Sequence, residues 1–283
     1  MFRYSYDTLV YYGEPIERGI ERVARYGYDG VEFIGEPAEI DTVAAKRNLQ
    51  ELGLEASSIC SIFTTADRDL AHPDPEARKR AVGYVKDVAT MASQLGAPVI
   101  IAAPTVVGKT AALAEAGQEW EWAVAGLREA ARFAEDLGIT LVLEAWNRYE
   151  TYWINRLDQA LELRAAVDAS NVGIMGDLFH MNLEEDSIPG AIKRAGQHLR
   201  HVHVADSNRA APGKGHLDIR SALESLRDID YKGYVAVEIL PASADPFGVM
   251  QRGGGREFFD DYTKASIDYL RTLDASLSPA AAQ

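Results

Sequence analysis

The stretch Glu119–Trp146, EWEWAVAGLREAARFAEDLGITLVLEAW, decides the fold. Over Glu119–Leu137 the apolar residues Trp120, Val124, Leu127, Ala131, Ala134 and Leu137 recur three or four apart, which makes one apolar stripe on a helix. Gly138 follows, a residue that can take the left-handed C-cap conformation and turn the chain back toward a strand. Thr140–Trp146 then reads as a short apolar strand, with Glu144 directly after Leu141-Val142-Leu143. Helix, glycine, strand and acid form one unit, and the rest of the chain repeats it.

Comparable strands are expected at Phe2–Asp7, Gly30–Ile34, Glu55–Ile62, Pro98–Ala103, Val172–Asp177, Leu199–Asp206 and Gly233–Leu240, eight in all, with helical patterns between them. Tyr26-Gly27, Leu52-Gly53 and Leu95-Gly96 repeat the helix-ending glycine of Leu137-Gly138. Eight strand–helix units fit an α/β fold of the closed (β/α)8 TIM barrel type, for which about 250 residues is typical. The competing fold, an open doubly wound sheet, would more often carry a glycine-rich phosphate loop after its first strand, and Asp7–Gly13 has no G-x-G-x-x-G. No linker or composition shift marks a boundary, so a single barrel domain is expected over residues 1–275, with a frayed tail over 276–283. Gly253-Gly254-Gly255 falls after the last strand, where a barrel would carry its final active-site loop.

The 283 residues include 43 Asp+Glu against 29 Lys+Arg, a formal net charge of −14, and 47% are hydrophobic. That composition suits an ordinary globular protein. The acidic balance disfavours nucleic acid, whose affinity comes largely from phosphate neutralisation by Lys and Arg. The longest apolar runs, such as Pro98–Pro104, are far too short to span a bilayer. The lone Cys60 cannot form an intrachain disulfide and residues 1–30 lack a signal-peptide pattern, so the cytoplasm is the expected compartment.

Strands of a parallel barrel should read as apolar runs, so ionisable residues at their C-terminal ends need a reason. Glu144, Asp177, His203 and Glu238 stand at such positions on four consecutive strands, all toward the end of the barrel where this architecture places its chemistry. Singly, each has a structural explanation: a helix cap, a solvated acid or a satisfied core histidine. Together they would need four such explanations. Three carboxylates and an imidazole form a mixed oxygen/nitrogen set suited to Mn²⁺, Mg²⁺ or Co²⁺. Zinc is less favoured, because no cysteine is near and carboxylates dominate.

These residues lie in recognisable surroundings: Leu143–Thr151 (LEAWNRYET), Gly176–Glu185 (GDLFHMNLEE), His201–Arg209 (HVHVADSNR) with Pro212–Gly215 (PGKG), and Val237-Glu238. They resemble the ketose 3-epimerases of the tagatose/allulose type, within the wider xylose-isomerase-like superfamily of sugar isomerases and epimerases. The match is dense from about 140 to 240 and weaker before it, resting there on Gly27–Glu36 and Asp69–Arg78. The resemblance implies that Glu144, Asp177, His203 and Glu238 hold one divalent metal, commonly Mn²⁺, and that Glu150, His180 and Arg209 bind substrate oxygens. Glu150 and Arg209 each lie six residues past a ligand, in the loop after its strand, and so can lean over the metal. Each also has an ordinary reading: Arg209 as a surface arginine, Glu150 as a helix-start carboxylate, His180 as a loop-ordering residue.

A metal held this way would polarise a carbonyl and stabilise the enediolate left when the adjacent carbon loses its proton. Epimerisation needs a base on one face of that carbon and an acid on the other. Glu144 and Glu238, on non-adjacent strands, are the expected catalytic pair. The same chemistry with a leaving group one carbon further on would be an elimination. The α-subunits of C-glycoside deglycosidases, which cleave 3-keto glycosides with a small β-subunit, resemble the same superfamily. The segments Tyr4–Thr8, Pro104–Lys109 and Glu119–Trp122 depart from the ketose epimerases and keep that alternative open. The expected partner is therefore a keto sugar or a keto glycoside, with a homo-oligomer or a small second subunit as the assembly.

A DNA-repair endonuclease of the superfamily would need more histidines than the six present and a basic face. A non-catalytic subunit would be expected to lack one of the acids. Lys109 is either a surface lysine after a turn glycine or a contact to a substrate hydroxyl or phenolate. Glu32 and Glu36 either bond to substrate or stabilise a turn. Tyr11-Tyr12 and Trp153 either edge the pocket or pack in the core, and Cys60 reads as an inert small hydrophobe.

Overall fold

The computed structural model describes residues 1–243 and 245–277. Eight parallel strands close in sequence order: β1 (Arg3–Asp7), β2 (Gly30–Gly35), β3 (Glu55–Ser61), β4 (Val99–Ala102), β5 (Thr140–Leu143), β6 (Val172–Asp177), β7 (Leu199–Val204) and β8 (Tyr234–Val237). The helices are α1 (Ile16–Arg25), α2 (Thr42–Leu52), α3 (Pro75–Leu95), α4 (Ala116–Asp136), α5 (Leu157–Val167), α6 (Leu178–Glu184), α7 (Ile188–Ala195), α8 (Ile219–Asp228), α9 (Pro246–Gln251) and α10 (Phe259–Leu277). The expected (β/α)8 barrel is the fold observed.

The helix of the opening stretch starts at Ala116, three residues before its expected first residue, and buries Val124, Leu127, Ala131 and Ala134 of the stripe. Full burial of a residue such as Leu127 contributes about 1.5–3 kcal/mol. Leu137 is instead the half-exposed C-cap residue. Gly53 (φ 69°) and Gly96 (φ 88°) end α2 and α3 in the left-handed region, where a Cβ would be strained. Helix α10 is continuous to Leu277, and the remainder of the expected tail, 278–283, lies outside the described residues. The triple glycine 253–255 follows α9 in the connection after β8. No helix among the described residues is long and apolar enough to cross a membrane.

Several strands are shorter than their apolar runs. Expected to reach Trp146, β5 stops at Leu143, because the Trp146 amide turns to the Ile154 carbonyl (3.2 Å). Expected to reach Leu240, β8 stops at Val237, and the Leu240 amide donates to the Arg209 carbonyl (3.1 Å). Glu144 and Glu238 therefore stand one residue past their strands, at the rim.

Alternation along each strand sorts the side chains. Tyr4 and Tyr6, Val31 and Phe33, and Val235 and Val237 pack in the large core between barrel and helices. Cys60, Ile101, Val142 and Met175 form a smaller apolar cluster on β3 to β6, in the alternate register that faces the barrel axis. In the same register the other strands carry buried polar residues: Ser5 and Asp7 on β1, Glu32 on β2, and His201 and His203 on β7. The barrel interior thus has an apolar side and a polar side, and the polar side leads up to the rim acids.

Candidate active site

Asp177, the last residue of β6, is paired in register with His203 on β7. Its Oδ1 accepts the Phe179 amide at 2.7 Å and caps α6, while Oδ2 is buried without a hydrogen-bond partner. Donor atoms of Glu144, Asp177 and His203 all lie within 4.8 Å of one another. Glu238 Oε2 is 3.8 Å from His203 Nδ1, so all four expected ligands converge.

Beneath them lies a carboxylate that the sequence left between two roles. Glu32 is fully buried, with Oε1 2.6 Å from His203 Nε2 and Oε2 2.6 Å from His201 Nε2, and the Ser58 hydroxyl donates to it. It neither faces substrate nor stabilises a turn. With Nε2 of His203 turned to Glu32, Nδ1 is the nitrogen on the side of Glu238. This is the carboxylate–histidine arrangement that orients metal-binding imidazoles. Glu36, the other acid of that strand end, forms a two-bond ion pair with Arg68 (2.7 and 2.8 Å), which is the turn-stabilising role.

The electrostatics call for a cation. Burial raises the Glu144 carboxyl well above its ordinary value, and Glu238 and Asp177 push the same way against the pull of His203. Burial likewise raises Asp7, with Glu32 and Glu238 adding to it. Burial opposes the charge on Glu32, but His203 and His201 outweigh it and hold that carboxyl low. Carboxylates this close and this dry repel one another unless a positive charge stands among them. The unpartnered Asp177 Oδ2 and His203 Nδ1, beside Glu144 and Glu238, are a donor set of the kind a divalent ion takes, so the residues fit a metal.

Around this centre the expected substrate residues come together. Arg209 Nη1 donates to Glu150 Oε1 at 2.9 Å, Nη2 is 3.4 Å from Glu238 Oε2, and the guanidinium lies over the Phe179 ring, 4.7 Å from its centroid. Arg209 is no surface arginine: its side chain is 12% exposed. Its backbone is left-handed (φ 61°), which costs a non-glycine residue about 1–2 kcal/mol. The Arg209 amide donates to Asp206 O at 2.8 Å and its carbonyl accepts from Leu240, which holds that conformation.

His180 is buried with Nδ1 2.8 Å from Asn147 Nδ2, and the Asn147 amide donates to the same nitrogen at 3.3 Å. Asn147 Oδ1 accepts from Tyr149, which makes Nδ2 the donor; His180 Nδ1 is then the acceptor and its proton sits on Nε2, 3.5 Å from Asp177 Oδ2. Burial, with Arg209 and His203 adding to it, lowers the ring to about 3 against the pull of Asp177 and keeps it neutral. Asn147 also donates to Glu150 Oε1 at 3.1 Å. Asn147 is not among the residues expected from the sequence, although it lies three residues from both Glu144 and Glu150. Nor is His201, which the alternation in His201-Val202-His203 puts on the same face as His203.

Both expectations for Lys109 are overturned. The residue is buried, and its ammonium donates to Asp69 Oδ2 (2.8 Å) and the Ala71 carbonyl (3.1 Å) and stands 3.2 Å from Glu119 Oε2. Partners from the connection after β3 and from the first turn of α4 withdraw it from solvent and occupy it. Tyr11 packs in the core, stacked on Tyr6 (5.1 Å) and bonded to Thr263, and Trp153 stacks on Trp120 (5.2 Å). The cavity over the acids is lined instead by Leu9, Phe63, Val107, Trp146 and Phe247, together with Cys60, whose Sγ is 3.9 Å from Glu238 Oε1.

A closed parallel barrel with a carboxylate–imidazole centre at the C-terminal rim of its strands is the arrangement of a TIM-barrel enzyme site. The sequence profile of the xylose isomerase-like TIM barrel family matches residues 20–273. The D-psicose 3-epimerase of Ruminiclostridium cellulolyticum is 33% identical over 217 residues, 73% of this chain and 74% of that one. The D-psicose 3-epimerase of Enterocloster bolteae is 34% identical over 221 residues, 75% of this chain and 70% of that one. The crystal structure of D-psicose 3-epimerase with D-tagatose from Clostridium cellulolyticum H10 superposes with a TM-score of 0.84 at 29% identity, covering 96% of this chain and 99% of that one. The chain belongs to the xylose isomerase-like TIM barrel family, and these relatives within it are ketose 3-epimerases.

Proposed function

We propose that this enzyme inverts the configuration at C3 of an unphosphorylated ketose, with Glu144, Asp177, His203 and Glu238 holding one divalent ion, Mn²⁺ first among the candidates. The observation that carries the reading is the convergence of Glu144, Asp177 and His203 donor atoms within 4.8 Å, with Glu238 beside His203. When bound, the metal supplies Lewis acidity at the substrate carbonyl.

The chain's own groups do the rest. Glu144 and Glu238 reach the centre from β5 and β8, which are not neighbours in the barrel, and so can address a carbon from two sides. One carboxylate takes the C3 proton and the other carboxyl gives a proton to the opposite face, so the product is the epimer and the net proton count is unchanged. His180 offers its Nε2 proton to a substrate oxygen, and the Glu150–Arg209 pair offers both an acceptor and donors to hydroxyls. Val107, Trp146 and Phe247 shield the reacting carbon from water.

The charge balance supports a neutral substrate. The charge of Lys109 is matched by Asp69 and Glu119, and that of Arg209 by Glu150 and Glu238, so neither carries a surplus positive charge to offset a phosphate. The relatives described above act as epimerases, which favours epimerisation over elimination. The single cysteine suits a reducing cytoplasm.

The experiment is to incubate the purified, Mn²⁺-loaded chain, with no added subunit, with D-allulose, D-fructose and D-tagatose and, separately, with 3-keto glycosides. Formation of C3 epimers supports the reading. Release of an aglycone without epimer formation would replace it with elimination.

A further inference from the structure

The buried ammonium of Lys109 is not used by the chemistry above, yet it ties the connection after β3 to the connection after β4 and the start of α4. Asp69 comes from the connection after β3, Lys109 from the one after β4, and Glu119 from the first turn of α4. Their side chains are 1%, 4% and 0% exposed. Glu119 also accepts from the Tyr152 hydroxyl, which belongs to the connection after β5, and from the amides of Leu113 (2.7 Å) and Ala114 (3.1 Å). An ammonium and two carboxylates withdrawn from water are a costly way to fill space, and an apolar side chain could serve that purpose as well. What the ion cluster adds is directionality: the connection after β3, the connection after β4 and the first turn of α4 must meet at one nitrogen.

The backbone of the same residue carries that constraint to the substrate site. Gly108 N donates to Glu150 O at 2.7 Å, Tyr152 N donates to Lys109 O at 3.0 Å, and Lys109 and Thr151 form a parallel bridge. The Thr105 and Thr151 hydroxyls meet at 2.9 Å beside it. Residues 108–109 thus grip 150–152 on both sides of Thr151, at the carbonyl of Glu150 and the amide of Tyr152, and the Glu150 carboxylate accepts from Arg209.

We propose that Lys109 is a positioning residue: its ion cluster with Asp69 and Glu119 fixes the 108–109 segment against 150–152 and thereby sets where the Glu150–Arg209 pair stands over the cavity. The proposal rests on the reading of Glu150 and Arg209 as substrate-binding residues. Lys109 itself touches no substrate, because its Nζ is surrounded by oxygens of its own chain.

The test compares the Mn²⁺-loaded enzyme with Lys109→Met, Glu150→Gln and the double variant, and adds Tyr152→Phe, which removes one hydroxyl and leaves the three charges. Lys109→Met should raise KM about tenfold to a hundredfold, with a smaller change in kcat and Mn²⁺ affinity unchanged. In the Glu150→Gln background it should add no more than about twofold, because both changes act on one contact. Amide exchange at Gly108 and Tyr152 should accelerate. A folded Lys109→Met with KM within about twofold of the parent, or a KM effect that adds in full to that of Glu150→Gln, overturns the proposal. If Lys109→Met does not fold, Tyr152→Phe decides by the same criteria, with a severalfold rise in KM expected and none contradicting it. Absence of epimerisation by the parent enzyme sinks the functional reading instead, and the exchange comparison still judges the joint: unchanged exchange at Gly108 and Tyr152 would refute it.

Discussion

Glu32 Oε1 stands 2.6 Å from His203 Nε2, and this one contact decides which nitrogen of the imidazole faces the rim carboxylates. The same carboxylate reaches His201 through its other oxygen, so a buried acid of β2 braces two residues of β7 across the barrel interior. Replacing it with Gln leaves the volume but removes the negative charge and the symmetric acceptor. Glu32→Gln is expected to weaken Mn²⁺ binding about tenfold to a hundredfold with little change in far-ultraviolet circular dichroism. Metal titration calorimetry of the two proteins checks this, and equal affinities would show that Glu32 does not orient the ligand.

Metal removal should be felt as instability as well as inactivity. Glu144, Asp177 and Glu238 share a small volume, and Asp177 Oδ2 has no hydrogen-bond partner. A ligand bound only by the folded state at a hundred times its Kd adds about 2.7 kcal/mol. Chelation is therefore expected to lower Tm by several degrees, with full recovery on adding Mn²⁺, measured by calorimetry at fixed protein concentration. A Tm indifferent to chelator would mean that the acids do not bind a metal in the folded state.

The loop that carries Asn147 and Glu150 should loosen in acid. Glu184, at the end of α6, accepts the Arg148 amide at 2.7 Å and its guanidinium at 2.8 Å. The Arg148 side-chain bond, with its charge and amide adding to it, holds the Glu184 carboxyl below its ordinary value despite burial. A carboxyl lowered by folding binds fewer protons in the native state, so its contribution is complete above the unfolded value of about 4.3 and is lost as pH falls through the folded value. Amide protection at Arg148 should decline over that acidic window and not between pH 6 and 8. Glu184→Gln should remove the pH dependence; an unchanged profile would exclude Glu184 as its source.

What was legible in the sequence was what periodicity controls. An acid directly after the apolar runs of β5, β6 and β8, with His203 near the end of the seventh strand, located the centre because side-chain direction in a strand follows from position alone. Strand ends were read too long at Trp146 and Leu240, since apolar runs continue where the amides have already turned to Ile154 and Arg209. Lys109 was misread for a different reason. Its partner Asp69 comes from a connection with no repeating pattern, and Glu119, though on α4, is not one of the stripe residues; which elements meet is settled only once the barrel has closed. Glu32 was noticed as an acid at the end of β2 but not given its partners, because β7 lies across the barrel and far along the chain.

Glu144 and Glu238 are proposed to move a proton at C3 of a ketose, and solvent deuterium reads that transfer directly. The Mn²⁺-loaded enzyme is incubated in D₂O with each ketose, and deuterium at C3 is followed by nuclear magnetic resonance in substrate and product. Incorporation at C3 in the parent enzyme is expected, with turnover abolished in Glu144→Gln and Glu238→Gln while both remain folded. Epimer formed without solvent deuterium, or near-normal turnover in either variant, would contradict the account.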